Sequence, residues 1–280
     1  MELSVNSTAT LDTLRVATDA AGEVVTVTLN LPRLRNPLSL ALVADLNSAL
    51  DALEASSSVR AVVLRGAGGT FCAGGNIRDF DESLALPAPA GEVDPIARIN
   101  RGNGAFLLRI RRLPATVIAA IEGAAIGGGF GLACVSDIAL ATAEAKFAMS
   151  ETTLGVTPAQ ISPFVALRIG VSQALRLALT GERIDAHEAH RIGLVHRVCE
   201  DAQALEQALA ETVARVLKCA PGANRVTKEL FLATTEVALL QHLDYSAGRF
   251  AQCLRGEEGR EGVRAFLEKR PPSWARGGKS

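Results

Sequence analysis

The stretch Thr116–Ala133, TVIAAIEGAAIGGGFGLA, decides the predicted fold. Its first part, Thr116–Ile121, is apolar and rich in β-branched residues, which predicts a short buried strand. Gly123 ends that strand, and the run Gly127–Gly129 precedes a second apolar segment that is typical of a helix. This order directs the first N–H groups of the helix, which lack intrahelical acceptors, at a single point. The stretch therefore predicts an anion-binding helix N-terminus, and a flexible turn is the alternative.

A second segment has the same organisation. Phe71–Asn76, FCAGGN, follows a predicted strand at Arg60–Arg65 and a glycine-rich turn. If both segments face the same point, their N–H groups form an oxyanion hole. Each donor of such a hole typically contributes about 2.7–4 kcal/mol of transition-state stabilisation. We therefore expect a site that stabilises a developing negative charge.

Neither glycine segment matches a nucleotide-binding fingerprint. Counted from Gly127, the sixth position is Leu132, and counted from Gly129 it is Cys134, so neither start gives Gly-x-Gly-x-x-Gly. The Gly-Lys-Ser/Thr sequence of a P-loop is absent from both segments. Phosphate binding of these two kinds is therefore not predicted.

Glu151 is the candidate proton-transfer residue. It follows a predicted strand at Lys146–Met149 and stands among small and apolar residues. A partly buried carboxyl has a raised pKa and can exchange a proton near neutrality. The alternative is a carboxylate that caps a turn or lies at the surface. His187 and His190 lack the spacing of a zinc helix, and no Cys or Ser has a recognisable base beside it. The sequence therefore predicts neither a metal site nor a covalent nucleophile.

The composition is that of a globular protein that acts on a small molecule. The 280 residues carry a formal net charge of −1, from 29 basic and 30 acidic side chains. No basic block supports binding to nucleic acid or to a membrane surface, and no apolar run is long enough to cross a membrane. The five cysteines form no Cys-x-x-Cys pair, and the N-terminus has no secretory signal. We therefore expect reduced thiols and a cytoplasmic protein.

Apolar periodicity predicts an α/β layer fold. Two strands, Leu14–Thr18 and Val24–Leu29, are joined by a tight turn, and a helix is predicted over Leu38–Ala55. Strands and helices then alternate up to about residue 198, with a further strand at Asp137–Ala141, which favours parallel pairing. The stretch Asp79–Pro95 has turn residues and no period, which predicts a mobile surface loop.

The same pattern divides the chain into three parts. Residues 1–13 are a flexible lead-in, residues 14–200 are the α/β core, and residues 201–280 are a helical region. The helical region is long and carries apolar residues suited to packing on the core or on another subunit: Leu230, Phe231, Leu239, Leu240 and Phe250.

Taken in chain order, the two glycine segments and Glu151 resemble the crotonase (enoyl-CoA hydratase/isomerase) superfamily. The likeness extends from about Val24 to Lys269, and it includes Leu29–Leu38 ahead of the first glycine segment. It implies a spiral of ββα units with a C-terminal helical trimerisation region, assembled as a trimer or a dimer of trimers. It also implies an acyl-CoA substrate held as an enolate, with coenzyme A as part of the substrate and no separate cofactor.

The resemblance also implies roles for individual residues. Gly75 and Gly128 would donate their N–H groups to the thioester oxygen, and Ala73 would lie beside the substrate in the first segment. The coenzyme A phosphates would meet three basic residues, the last of them from a neighbouring subunit: Arg33, Arg78 and Lys269.

Departures from the family's pattern bear on the reaction. Hydratases of the family carry two catalytic glutamates; here Glu151 occupies one position and Gly131 the other. One carboxylate remains, as in the Δ3,Δ2-enoyl-CoA isomerases. The sequence around both residues nevertheless resembles the hydratases of β-branched glutaconyl-CoA thioesters, of the isohexenylglutaconyl and methylglutaconyl types of acyclic terpene and leucine breakdown. A hydratase of this branch is therefore expected, with a single-glutamate isomerase and a non-catalytic acyl-CoA-binding paralogue as alternatives.

Gly131 and Gln160 complete the predicted substrate site. Gly131 lies one turn from Gly128 on the same helix face. A glycine there either makes room for a bulky β-substituent or allows dense helix packing. Gln160 and Ser150 are candidates to hold the water molecule in place of the missing second glutamate.

Overall fold

The computed structural model describes residues 8–87, 91–235 and 256–274 of the chain. The strands are β1 Thr8–Thr10, β2 Leu14–Thr18, β3 Val24–Leu29, β4 Ala61–Gly66, β5 Thr116–Ile121, β6 Ala124–Ile126, β7 Ile138–Thr142, β8 Lys146–Ala148, β9 Arg183–Asp185 and β10 Arg197–Cys199. The α-helices are α1 Leu40–Ala55, α2 Ile77–Leu84, α3 Pro95–Arg112, α4 Gly128–Val135, α5 Ser162–Thr180, α6 Ala186–Arg191, α7 Ala202–Lys218, α8 Pro221–Ala233 and α9 Glu257–Leu267. Short 3-10 helices lie at Pro32–Leu34 and Glu151–Leu154.

The strands form one sheet of seven and one of three. In the larger sheet the order is β1-β2-β3-β4-β5-β7-β10, antiparallel from β1 to β3 and parallel from β3 onward. The smaller sheet has the order β6-β8-β9. The predicted α/β fold with parallel pairing is therefore confirmed.

The central strands are apolar throughout because both faces of the sheet are covered. On one face, Val62 and Leu64 of β4 share a buried cluster with α1 and α3. On the other face, Ala61 and Val63 share a second cluster with Leu205 of α7. The alternating direction of side chains along a strand separates the two clusters.

Helix α1 begins two residues later than predicted, since the Ser39 hydroxyl accepts a hydrogen bond from Leu42 N and caps the helix there. Its buried leucines recur at helical spacing and face the sheet: Leu42, Leu46, Leu50 and Leu53. Leu38, excluded from the helix, instead pairs with Gly75 in an isolated parallel bridge. Leu38 thereby contacts the first glycine segment, Phe71–Asn76.

The loop predicted at Asp79–Pro95 is wrong at its two ends, whereas residues 85–87 and 91–94 lie outside helices and strands as predicted. Helix α2 begins at Ile77, capped by the Asn76 side chain, which accepts from Arg78 N. Helix α3 begins at Pro95, capped by the Asp94 side chain. Asn and Asp caps and an N-terminal proline start helices as readily as they form turns, so the composition misled the prediction. Residues 88–90 lie outside the described residues.

The lead-in predicted for residues 1–13 also contains regular structure. Thr8–Thr10 forms β1 and pairs with β2 in antiparallel register. The predicted helices of the C-terminal region are confirmed at α7, α8 and α9, whereas Leu239, Leu240 and Phe250 lie outside the described residues.

Free cysteines are buried at Cys72, Cys134 and Cys199, but Cys219 is exposed, and Cys253 falls outside the described part of the chain. The described residues include no group of His, Cys, Asp or Glu that could hold a metal ion. Among the described helices, none combines the length and apolarity that crossing a membrane requires.

Arg60 ties the C-terminal helices to the sheet. Its guanidinium donates to the carbonyl oxygens of Leu217 and Cys219, at 2.9 and 2.7 Å, where α7 ends. It also forms an ion pair with Glu23 at 3.2 Å. The Arg60 side chain is only 6% exposed, so water cannot replace these bonds.

We predict that Arg60→Ala lowers the free energy of unfolding by about 2–4 kcal/mol, because it leaves the last carbonyls of α7 and the Glu23 carboxylate without their donor. Urea unfolding at a fixed protein concentration measures the loss. Arg15→Ala is the control, since Arg15 is exposed and its side chain bonds only that of Asn30 among the described residues, and its effect should stay within about 0.5 kcal/mol. Equal effects of the two substitutions would contradict this role of Arg60.

Candidate active site

The two glycine segments predicted to face each other are hydrogen-bonded together. Cys72 and Ala125 form a parallel bridge, in which Cys72 N donates to Ala124 O and Ile126 N donates to Cys72 O, both at 2.9 Å. Gly74 follows with φ +99°, and a Cβ there would lie 3.0 Å from the Ile126 carbonyl oxygen. This backbone approach requires glycine.

The second segment ends in the N-terminus of α4. Gly127 has φ +50°, and its N–H donates to Ala148 O of β8 at 2.9 Å. Gly128 is the first helical residue, so its N–H has no acceptor within the helix. The buried helix thus presents the N–H of Gly128 and its partial positive charge at the end of the segment.

Leu38 brings Gly75 and Gly128 to the same place. Its backbone pairs with Gly75 through the bond from Leu38 N to Gly74 O at 2.7 Å. Its side chain lies beside the other donor residue, since a Cβ on Gly128 would lie 2.5 Å from Leu38 Cδ1. Both predicted oxyanion donors therefore adjoin one residue. Sequence analysis missed Leu38, which lies outside both glycine segments.

Glu151 lies against the start of α4. It is the first residue of the 3-10 helix, and its Oε1 would be 3.1 Å from a Cβ placed on Gly127. Its Oε2 is buried and has no hydrogen-bond partner. Burial raises the pKa of the Glu151 carboxyl, because the ionised form loses water, and the residue's own N–H opposes this shift. Because Oε2 has no partner, that oxygen caps no turn.

Asn36 holds the loop that carries the first glycine segment. It is fully buried at φ +54°, and its Oδ1 accepts from Leu31 N at 2.8 Å. Its Nδ2 donates to Ala67 O and Thr70 O at 2.9 and 2.6 Å. The adjacent Arg35 carbonyl accepts from the N–H of Ala73, so the backbone donor of that predicted substrate residue is already engaged.

Sequence analysis passed over Asn36. The available signal was an asparagine directly before Pro37, since an Asn amide often satisfies backbone groups in such a loop.

The three basic residues predicted to meet coenzyme A are exposed. Arg33 lies in the first 3-10 helix and Arg78 at the start of α2, on either side of the Leu38–Gly75 bridge in sequence. Lys269 follows α9 at φ +53°. Within the described part of the chain, none of the three forms an ion pair, so their charges are available to an anionic ligand.

Gly131 is a site of dense packing. A Cβ there would lie 2.5 Å from Ile161 Cγ2 and 3.6 Å from Leu107 Cδ1. Ile161 is only 6% exposed and cannot move aside freely. Of the two alternatives for Gly131, these contacts favour dense packing over room for a bulky β-substituent.

Gln160 and Ser150, the candidate water-holding residues, differ in the hydrogen bonds that they form within the protein. Gln160 Nε2 donates to Asn100 Oδ1 of α3 at 3.0 Å, so one of its donors is used within the protein. The Ser150 carbonyl accepts from the N–H and the hydroxyl of Thr153, and the residue is half-buried directly before Glu151.

Comparison with known proteins agrees with this site. The chain matches the family model described as enoyl-CoA hydratase/isomerase over residues 19–277. A Thermus thermophilus protein that carries a provisional enoyl-CoA hydratase name is 37% identical, over 90% of this chain and 97% of its own.

Two solved structures are also similar. An enoyl-CoA hydratase/isomerase from Marinobacter aquaeolei superposes with a TM-score of 0.90 at 47% identity, and Pseudomonas aeruginosa AtuE with 0.89 at 48%. Each comparison covers 95% of this chain and 100% of the other. The family match over most of the chain and these close structural likenesses lead to one conclusion: the chain belongs to the enoyl-CoA hydratase/isomerase family, the crotonase superfamily.

Proposed function

We propose that this enzyme adds water to the double bond of a β-branched 2-enoyl-CoA thioester of the glutaconyl type, such as isohexenylglutaconyl-CoA or 3-methylglutaconyl-CoA. Family membership gives the coarser activity, that of an enoyl-CoA hydratase/isomerase acting on acyl-CoA. The observation that carries the hydratase proposal is Glu151, whose Oε2 is buried and unpartnered and whose Oε1 lies beside the start of α4. The glutaconyl class is supported by the sequence resemblance around Gly131 and Glu151.

The first step is polarisation of the thioester. In this mechanism the carbonyl oxygen accepts hydrogen bonds from Gly75 N–H and Gly128 N–H. Charge accumulates on that oxygen as the enolate forms, so the two donors stabilise the transition state more than the ground state. Because Gly75 is held by the Leu38 bridge and Gly128 by the start of α4, little reorganisation is needed during the reaction.

Glu151 then moves the proton. As base it takes a proton from water while the water oxygen bonds to the β-carbon and the double-bond electrons pass to the carbonyl oxygen. As acid it returns that proton to the α-carbon when the enolate collapses. Burial raises the pKa of Glu151 towards the range in which one carboxyl serves both steps. The proposal includes no cofactor beyond the coenzyme A of the substrate and no metal.

A single-carboxylate isomerase is the second candidate. Position 131 is a glycine whose side-chain space is filled by Ile161, so it supplies no second acid. This favours the isomerase. In that reaction Glu151 carries one proton between two carbons of the acyl chain and no water is added.

We predict that the wild-type enzyme, given a 2-enoyl-CoA in water enriched in heavy oxygen, places the label on the β-carbon. We also predict that Glu151→Gln lowers turnover by about 10²–10⁴-fold. Glutamine keeps the side-chain volume but cannot exchange a proton at neutral pH. Mass spectrometry of the product measures both results. A shifted double bond without label would show an isomerase, and unchanged thioester would show a binding protein.

Glu144→Gln is the matched control for this experiment. Glu144 is an exposed carboxylate in the turn between β7 and β8, and its loss should leave turnover within about twofold of wild type. Near-normal turnover in Glu151→Gln would contradict the catalytic role of Glu151.

The pH dependence of stability tests the burial of Glu151 independently. The unfolded carboxyl has a pKa near 4.5, and the folded one has a raised pKa, so the folded state holds the proton more tightly. Ionisation therefore destabilises the fold as the pH rises above 4.5. Glu151→Gln should raise the Tm at pH 7.5, and this gain should vanish near pH 4. A lower Tm at both pH values would show a structural role instead.

We also propose that the coenzyme A phosphates bind Arg33, Arg78 and, from a neighbouring subunit, Lys269. Arg78→Ala or Lys269→Ala should weaken coenzyme A binding more at low salt than at high salt, because exposed charge pairs are screened. Titration calorimetry against coenzyme A and dephospho-coenzyme A measures the effect and locates the phosphate concerned. Exposed Arg183→Ala should change neither affinity. Salt-independent losses would contradict direct phosphate contacts.

Self-association as a trimer or a dimer of trimers is a further part of the proposal, as is a cytoplasmic location. Helix α5 is interrupted at Gly170, where φ is +76° and ψ is +152°. After this interruption it carries an exposed apolar stripe at four-residue spacing: Val171, Leu175 and Leu179, which are 62%, 52% and 73% exposed. Before it, Leu167 lines a groove with Phe231 of α8, and the two are 50% and 73% exposed. These exposed apolar side chains support burial against a second copy.

Light scattering at micromolar concentration should give a mass that is a multiple of three subunits, and Leu175→Glu should lower it by placing a charge in the interface. Leu34→Glu introduces the same charge at an equally exposed leucine outside the stripe and should leave the mass unchanged. A wild-type monomer would contradict the proposed assembly.

A further inference from the structure

Two side-chain amides meet between α3 and the segment that precedes α5. Asn100 lies on α3, and Gln160 lies between the second 3-10 helix and α5; Gln160 Nε2 donates to Asn100 Oδ1 at 3.0 Å. Both residues are half-buried. Gly104, one turn further along α3, is buried, and a Cβ there would overlap Gln160 Oε1. A glycine at 104 is therefore what allows the Gln160 amide to lie against α3.

The pair adjoins the apolar layer behind the oxyanion donors. Gln160 is followed by Ile161, which packs on Gly131, and Leu107 packs there from α3. Leu107 and Asn100 are seven residues apart, about two turns or roughly 10 Å along the helix. The amide pair is therefore joined through Ile161 to the residues that pack on α4 one turn after Gly128.

The amides keep hydrogen-bond donors to spare. An amide group carries two N–H donors, and the bond within the pair uses one of the four. Among the described residues, no acceptor takes an N–H of Asn100. Exchanging O and N in both amides leaves the same number of N–H groups. An acceptor-only anion is the ligand that matches such a donor set, and its hydrogen bonds are the stronger charge-assisted kind.

We infer that the Asn100–Gln160 pair binds the carboxylate at the far end of the acyl group and so selects dicarboxylic enoyl-CoA thioesters over monocarboxylic ones. This inference rests on the proposed hydratase function and gives the glutaconyl class its recognition element.

Gln160→Glu tests the inference through charge. The substitution preserves size, and a carboxylate at 160 can still accept from the Asn100 amide, but it repels a substrate carboxylate. We measure kcat/KM for 3-methylglutaconyl-CoA and for the analogue with a methyl group in place of the distal carboxylate. The ratio of the two values should fall at least about tenfold, mainly through the KM of the dicarboxylic substrate.

Two further variants make the result decisive. Asn100→Asp places the same charge on the partner amide and should lower the ratio in the same direction, which covers the case that one variant fails to fold. Gln207→Glu on α7 makes the same chemical change at an exposed position and should keep the wild-type ratio. An unchanged ratio in both amide variants overturns the inference and leaves the pair as a link between α3 and the start of α5.

Failure of the proposed function is distinguishable from failure of this inference. If the wild-type enzyme hydrates neither thioester, the hydratase proposal falls and the inference falls with it. If it hydrates the methyl analogue better than 3-methylglutaconyl-CoA, hydration stands and selection for a distal carboxylate is overturned.

Discussion

Two backbone segments from distant parts of the chain are hydrogen-bonded to each other where Cys72 pairs with Ala125, and the chemistry of the site depends on this junction. It aligns the turn that carries Gly75 with the N-terminus of α4. Leu38 joins the same junction from the end of a third segment. The donors of the site are therefore placed by secondary structure, which is more rigid than a flexible side chain.

Such a close backbone junction restricts its sequence. Gly74 and Gly127 adopt positive φ, and a side chain on Gly129 would overlap the Cys72 carbonyl. The Glu151 carboxyl uses the space beside Gly127, so the same glycine that shapes the helix start also admits the proton-transfer group. The raised pKa of Glu151 follows from its burial in that crowded space.

Local sequence pattern was sufficient to predict much of the fold and part of the candidate site. Apolar runs and glycine turns located β5, α4 and the α/β class, and an isolated acid after a strand located Glu151. What could not be predicted depends on contacts between distant segments. Nothing near Leu38 in sequence indicates that it pairs with Gly75, and no pattern states that Asn100 meets Gln160. Gly131 remained ambiguous because a sequence shows that a side chain is missing but not what fills its place.

The filled space at Gly131 restricts how this site can be redesigned. A glutamate introduced at 131 alone would collide with Ile161 and strain the protein. Shortening Ile161 alone would instead leave a cavity beside Leu107 and cost stability by a different route. A second carboxylate at position 131 therefore requires that residues 131 and 161 change together.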